Sequence, residues 1–253
     1  MDAQGYTSGN SYKNSLFAQL YDFIIERLGR QDLDTEFFRL CSEQFGEPIL
    51  EIGCGTGLKL LPLAEMGFSV VGLDNSPQML SVFEQKLNNA KPGLKEKVQL
   101  ILGDMTAPPI NRRKFCLIIF GGSQFLHLST DEQRLSCLNN SRCLLADEGV
   151  IVISNSNLSQ KSEYNWTEKS EQLNHEWILQ AQGKWENGAY QENFKLIPTS
   201  QMQQEYLFGW RLYPVKDTHM KNLIESAGLR CVTLPSNLPM PQGRYIYICR
   251  NNI

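Results

Sequence analysis

A short apolar run that ends in an acid and breaks at once into alternating glycines constrains this chain more than any other feature. Residues 49–57 read Ile-Leu-Glu-Ile-Gly-Cys-Gly-Thr-Gly. A strand that turns directly into a helix lets a bound molecule approach its backbone, and glycine permits the approach because it lacks a side chain and tolerates positive φ. Dinucleotide-binding folds use the same device, but with a G-x-G-x-x-G spacing that sets a pyrophosphate on a helix N-terminus. Here the spacing is G-x-G-x-G, through Gly53, Gly55 and Gly57, and Leu58, Leu60, Leu61 and Leu63 follow as the apolar part of a helix. This loop suits a ligand without a diphosphate, which disfavours a nicotinamide-dependent oxidoreductase.

Two more apolar runs end in acids. Phe68 to Leu73 leads into Asp74, and Val98 to Gly103 leads into Asp104-Met105. An acid at the tip of the second strand accepts hydrogen bonds from both ribose hydroxyls. At the tip of the third, a carboxylate meets an exocyclic amine while the methionine lies on a purine. All three features fall at carboxyl ends of expected strands, where open α/β sheets bind ligands.

Strands are expected near 48–52, 69–73, 98–102, 115–120 and 149–154, and helices near 57–66, 77–90 and 130–145. Ser76 reads as an N-cap with Pro77 at the first helical position, and Thr130 with Gln133 as a capping box. This alternation implies a parallel sheet covered on both faces. Upstream, Leu16, Phe17, Leu20, Phe23, Ile24 and Leu28 form one helical stripe, and Leu33, Phe37, Leu40 and Cys41 a second. Residues 1–11 are polar and expected to be mobile. After residue 155 the pattern turns to alternation. His175–Ala181, Tyr190–Ile197 and Gln201–Trp210 read as antiparallel strands with a turn at Asn187-Gly188. A helix over Asp217–Ala227 ends at Gly228, and strands at Leu229–Leu234 and Tyr245–Arg250 follow.

Composition narrows the partners. The chain has 253 residues, 24 Lys and Arg against 27 Asp and Glu, and a formal net charge of −3. The densest basic cluster, Asn111-Arg112-Arg113-Lys114, is too short to track a phosphate backbone, so no nucleic-acid partner is expected. No apolar stretch approaches the roughly 20 residues of a membrane span. The seven cysteines are irregularly spaced without a C-x-x-C. With no apolar leader at Met1–Asn14, this points to a reducing cytoplasm.

As an ordered set, Glu51 to Gly57, Asp74 with Ser76-Pro77-Gln78-Met79-Leu80, Gly103-Asp104-Met105, and Leu144 to Gly149 before a final apolar strand resemble class I S-adenosylmethionine-dependent methyltransferases. The resemblance is tight over roughly residues 48–155 and loose elsewhere. Ala146-Asp147-Glu148-Gly149 departs from it, because the family usually has a proline before that glycine. The resemblance implies a Rossmann-like α/β fold: a seven-stranded, mostly parallel sheet with helices on both faces and an antiparallel last strand. An antiparallel β insertion is expected before the last helix. It divides the chain into cap helices (1–45), a cofactor-binding core (46–155), a substrate or oligomer insertion (156–214) and a C-terminal helix with the last two strands (215–253). The implied cofactor is S-adenosyl-L-methionine. Its implied contacts are Tyr21, Glu51, Gly53, Cys54, Gly55, Gly57, Asp74, Asn75, Met79, Gly103, Asp104, Met105, Phe120 and Gly121.

The acceptor is expected beside Phe120-Gly121-Gly122-Ser123-Gln124-Phe125-Leu126-His127-Leu128. This stretch lacks the Asn/Asp-Pro-Pro-aromatic sequence that grips a base amine or planar amide. It also lacks a strand-end acid for magnesium, so no metal site is expected. Its placement resembles bacterial sugar-amine N-methyltransferases, which implies His127 as a base or orienting group. His127 also reads simply as a cap for the helix at Thr130. Tyr21, in Leu20-Tyr21-Asp22, resembles an N-terminal element whose tyrosine reaches the reacting centre, and it also reads as helix packing. Tyr12, Gln124, Trp166, Trp177 and Trp210 are candidates for contact with a small-molecule acceptor.

The expected reaction is methyl transfer to nitrogen, slightly favoured, or oxygen, with a rate that rises with pH until the acceptor and His127 lose their protons. A catalytically silent cofactor-binding partner subunit, or an O- or C-methyltransferase of a specialised metabolite, is the alternative, and a homo-oligomer stays open.

Overall fold

The computed structural model describes residues 11–30, 34–199, 205–233, 238 and 240–252. The expectations for residues 1–10, Leu33, Gln201–Gln204 and Leu234 lie outside these.

Seven strands form the larger sheet: β1 (Ile49–Ile52), β2 (Val70–Asp74), β3 (Val98–Leu102), β4 (Phe115–Phe120), β5 (Leu145–Ser156), β10 (Leu229–Val232) and β11 (Arg244–Asn251). Their order is β10-β11-β5-β4-β1-β2-β3. The first five run parallel, and β11 is antiparallel to both of its neighbours. The central strands are buried on both faces, so they read as continuous apolar runs. Alternate residues serve opposite cores. Leu50, Val71, Ile118 and Ile151 face one side with α6 (Asp131–Cys143) and α7 (Asp217–Ser226). Ile49, Val70, Leu117 and Val150 face the other, with α2 (Thr35–Phe45), α3 (Leu60–Glu65), α4 (Pro77–Asn88) and the short α5 (Leu94–Lys97).

The local signals explain the boundaries. Ser76 accepts the Met79 N–H at the start of α4, and Thr130 and Gln133 form the capping box of α6. α3 starts at Leu60 rather than at 57, because Gly57 holds φ 83° in the turn before it. β5 starts at Leu145, earlier than expected. The register between β4 and β5 jumps between Phe115↔Leu145 and Leu117↔Val150, so residues 146–149 bulge. A Cβ on Gly149 would lie 2.6 Å from the Phe115 carbonyl, which explains the glycine there.

The second sheet has four strands, not three. They are β6 (Tyr164–Gln172), β7 (His175–Glu186), β8 (Ala189–Pro198) and β9 (Tyr206–Leu212), antiparallel in that order. Asn187 and Gly188, at φ 50° and 75°, join β7 to β8 as a two-residue turn. One face of this sheet packs on α1 (Ser15–Arg27) through Phe17, Leu20 and Ile24 against Leu179, Phe194 and Phe208. Asp22 of α1 accepts from Thr56 Oγ1 in the glycine turn and pairs with Lys86 of α4, whose Nζ also donates to the Thr56 carbonyl at 2.8 Å. These contacts fix the cap helix over the carboxyl end of the larger sheet. No helix among the described residues is long and apolar enough to cross a membrane.

Candidate active site

A cavity of about 320 Å³ opens at the carboxyl ends of β1, β2 and β3. Its floor is the glycine turn. The Gly53 and Cys54 N–H groups both donate to the Leu73 carbonyl, at 2.7 and 3.1 Å. A Cβ on Gly53 (φ 74°) would overlap the Gln124 side chain, and one on Gly57 the Phe83 ring, at 2.5 Å. Gly55 faces open space and donates its N–H to Asp74 Oδ2 at 2.8 Å.

Asp74 Oδ1 also accepts the Ser76 N–H at 2.9 Å, and burial raises the carboxyl above its ordinary range against these backbone bonds. Each oxygen keeps a lone pair for a ligand. Asn75 and Met79 continue this wall. At the end of β3, Gly103, Asp104 and Met105 line the cavity, and Asp104 Oδ1 accepts from Thr106 N and Oγ1 at 2.7 and 2.6 Å. Thr106, Leu128, Ser129, Gln133 and Tyr213 also line it. Of these, Leu128 ends the expected acceptor segment and Gln133 belongs to the capping box of α6, and no motif marked the other three.

Tyr12, Tyr21, Gln124 and His127 line this cavity and also a recess of about 50 Å³ behind it, which extends to Arg30, Lys59, Trp210 and Arg244. His127 ends a single 3₁₀ turn after β4, and Thr130 caps α6 in its place. Burial pulls the imidazole down to about 4, against a weaker opposing pull from Glu192 and a hydrogen bond with the Arg211 backbone. The ring is therefore neutral at pH 7, with Nε2 3.5 Å from the Tyr12 hydroxyl. Tyr12 stacks on Trp210 (6.2 Å, 15°) and meets Tyr21 edge-on at 6.1 Å. Burial raises both phenols, so each is a hydrogen-bond donor at neutral pH rather than a base.

An ion cluster underlies this aromatic group. Arg30 holds Glu192 in a two-pronged pair at 2.7 and 2.5 Å, while Trp210 Nε1 and the Tyr164 hydroxyl donate to the same carboxylate at 2.7 and 3.0 Å. Burial alone would raise the Glu192 carboxyl, but Arg30, Lys161 and Trp210 together hold it below its ordinary range. Nearby, Arg244 donates to Ser123 and Ser156 and pairs with buried Asp34 at 3.2 Å.

Several predicted residues stand elsewhere. Phe120 is core, edge-on to Phe125. The Cys54 thiol points at Gly72, and Gly121 backs onto Lys59 and Phe38. Trp177 donates its Nε1 to the Gln172 carbonyl, and Trp166 packs against the same core; neither lines the cavity. Alternating aromatics in a strand mark its packed face, and only Trp210 lies where that face meets the recess.

Glu51 is buried and does not line the main cavity. Its Oε2 has no partner among the described residues, and burial pushes its carboxyl up to about 8 against the pull of Lys59. Lys59 has no hydrogen-bonding or ionic partner among the described residues. An unpaired acid beside an unpaired cation matches the two charges of an α-amino-acid end. Asp74 and the open space at Gly55 match a ribose, and Asp104 with Met105 a purine. These residues fit S-adenosylmethionine. No group of three or more His, Cys, Asp or Glu able to hold a metal occurs among the described residues.

The profile of the "Methyltransferase domain" family matches residues 49–149, which carry β1 to β4 and the glycine turn. Residues 49–149 thus carry a methyltransferase domain. The glycine/sarcosine N-methyltransferase of Parasynechococcus marenigrum (strain WH8102) is 27% identical over 152 residues, 58% of this chain and 51% of that protein. The magnesium-protoporphyrin O-methyltransferase of Rhodobacter capsulatus is 36% identical over 74 residues, 29% of this chain and 32% of that one. The chain thus spans about half or less of the length of these two curated relatives. Its fold matches the X-ray structure of the sugar N-methyltransferase KedS8 from Streptoalloteichus sp. ATCC 53650 at a TM-score of 0.76, with 15% identity, covering 92% of this chain and 93% of that one.

Proposed function

We propose that this chain transfers the methyl group of S-adenosylmethionine to a nitrogen of a small molecule. The carrying observation is the juxtaposition of a cavity that fits the donor with a neutral, buried His127 at its inner end. When bound, S-adenosylmethionine supplies an electrophilic methyl on a sulfonium. In the donor half, Asp74 accepts the ribose hydroxyls, Asp104 accepts the exocyclic amine, and Met105 covers the purine. Glu51 and Lys59 receive the ammonium and carboxylate of the amino-acid end.

The protein's main contribution is alignment of the acceptor. An amine reacts as its free base, and His127 Nε2 accepts one of its N–H bonds to aim the lone pair. An imidazole held at about 4 keeps a proton poorly, so orientation suits it better than proton storage. Tyr12, beside His127, and the adjoining Tyr21 supply hydrogen-bond donors there. Support for nitrogen also comes from the relatives named glycine/sarcosine N-methyltransferase. We place the protein in the cytoplasm, in keeping with its seven free cysteines.

Because His127 is already neutral well below pH 6, the acceptor alone sets the rise of kcat with pH above that at saturating donor. A His127→Ala variant keeps the wild-type pH profile between about pH 6 and 9 while kcat falls roughly 10²-fold, the cost of a misplaced reactant. Steady-state assays with a panel of amines and phenols measure both. An unchanged kcat removes His127 from the mechanism, and turnover of phenols alone removes the nitrogen reading.

A further inference from the structure

Cys231 and Cys249 lie far in the sheet order from the donor strands and play no part in the function above. They face each other across β10 and β11 at the sheet edge. The kind of pairing follows from the ladder. The Asn252 N–H donates to the Gly228 carbonyl at 3.0 Å, which makes Gly228 and Asn252 a hydrogen-bonded position in this register. Hydrogen-bonded and non-hydrogen-bonded pairs alternate along antiparallel strands. Leu229 with Asn251 is therefore non-hydrogen-bonded, Arg230 with Arg250 hydrogen-bonded, and Cys231 with Cys249 non-hydrogen-bonded again. Such pairs bring their Cα atoms to about 4.5 Å, inside the roughly 4.4–6.8 Å that a disulfide spans.

The pair is also asymmetric. Cys249 is buried in the core under α7, whereas Cys231 is exposed on the edge strand. The neighbouring Cys249 thiol lowers Cys231 to about 7 against its partial burial. Lys221 adds to that lowering, and Glu225 and Asp217 oppose it. Burial raises Cys41, Cys54 and Cys137 instead. A small reagent thus meets one accessible sulfur with thiolate character, and a second sulfur stands behind it.

We propose that Cys231 and Cys249 form a dithiol modification site that low-molecular-weight disulfides oxidise to an intramolecular disulfide. The Cys231 thiolate attacks one sulfur of the reagent, forming a mixed disulfide and expelling one thiolate. Cys249 then gives up its proton, its sulfur attacks the Cys231 sulfur, and the second reagent thiolate leaves. The protein loses two electrons and two protons, and the reagent disulfide is reduced to two thiols.

The test exposes the reduced, full-length chain to glutathione disulfide, alkylates the remaining thiols, and maps the products by mass spectrometry. The expected product is a cross-link between the Cys231 and Cys249 peptides, lighter by two hydrogens and reversed by dithiothreitol. Cys143, the other exposed cysteine, carries a glutathione adduct instead. Cys231→Ser, a change at an exposed edge position, abolishes the cross-link and leaves the Cys143 adduct. Cys249→Ala converts the cross-link into a stable glutathione adduct on Cys231. A persistent adduct on Cys231 of the unsubstituted chain, with Cys249 still alkylatable after denaturation, overturns the proposal. So does an unmodified Cys231 in protein whose Cys143 has fully reacted.

Discussion

The donor cavity and the recess behind it are built in opposite ways. The donor cavity is built on strand ends and the turns that follow them, with Asp74 and Asp104 placed by backbone contacts at those ends. The recess is made of side chains from α1, the turn after β4, β9 and β11, held by a buried ion cluster that spans both sheets. A backbone-built site tolerates little change at its glycines, whereas a side-chain-built site depends on charge pairs formed between distant segments.

Four measurements sharpen that contrast. The largest effect is expected in the recess. Glu192→Ala strands Arg30 in a largely buried position, and breaking a buried pair in this way costs about 3–5 kcal/mol. Denaturant unfolding should show that loss, and Glu192→Gln should recover part of it by keeping an acceptor for the Trp210 indole N–H. Stability within 1 kcal/mol of the parent would reduce the cluster to a surface detail.

Next is the glycine turn. Gly57→Ala adds a Cβ against the Phe83 ring at a positive φ. Strain and overpacking each cost about 1–3 kcal/mol, so the thermal midpoint falls and donor affinity falls with it. Third, Asp74→Ala removes an acceptor for the donor, and hydrogen bonds to charged groups are worth about 1.5–3 kcal/mol. Calorimetry should find donor binding weakened roughly 10–150-fold, and an unchanged affinity would detach Asp74 from the ribose.

The smallest effect is a pH dependence. Glu51, held up at about 8 in the ligand-free protein, is mostly protonated at pH 7. A ligand ammonium favours its ionised form, so binding releases a proton below about pH 8. Affinity then rises as pH rises, by at most about tenfold per unit, and levels off above about 8. Calorimetry in two buffers of different ionisation enthalpy counts the proton, and uptake instead of release would remove Glu51 from the ammonium site.

The two regions also differ in how far the sequence reveals them. Gly53, Gly55, Asp74 and Asp104 announce the donor cavity because each sits beside its strand in the chain, and Ser76 and Thr130 mark helix starts by equally local chemistry. The recess has no such signal. Glu192, in a strand of alternating residues, reads as an outward polar side chain until Arg30 is brought to it from 162 residues away. β6 stays hidden because it is an edge strand of half-buried and exposed residues, with few apolar positions to mark a period. Lys59 reads as one solvated charge at a helix start, and only the fold places it beside Glu51.

The segment bearing Tyr12 is stitched at two points to different halves of the molecule. Ser76 Oγ donates to the Tyr12 carbonyl at 2.5 Å, and the Gly209 N–H donates to Ser11 Oγ at 2.9 Å across 198 residues of chain. The inner wall that carries Tyr12 therefore depends on both sheets at once, and loosening either anchor frees it.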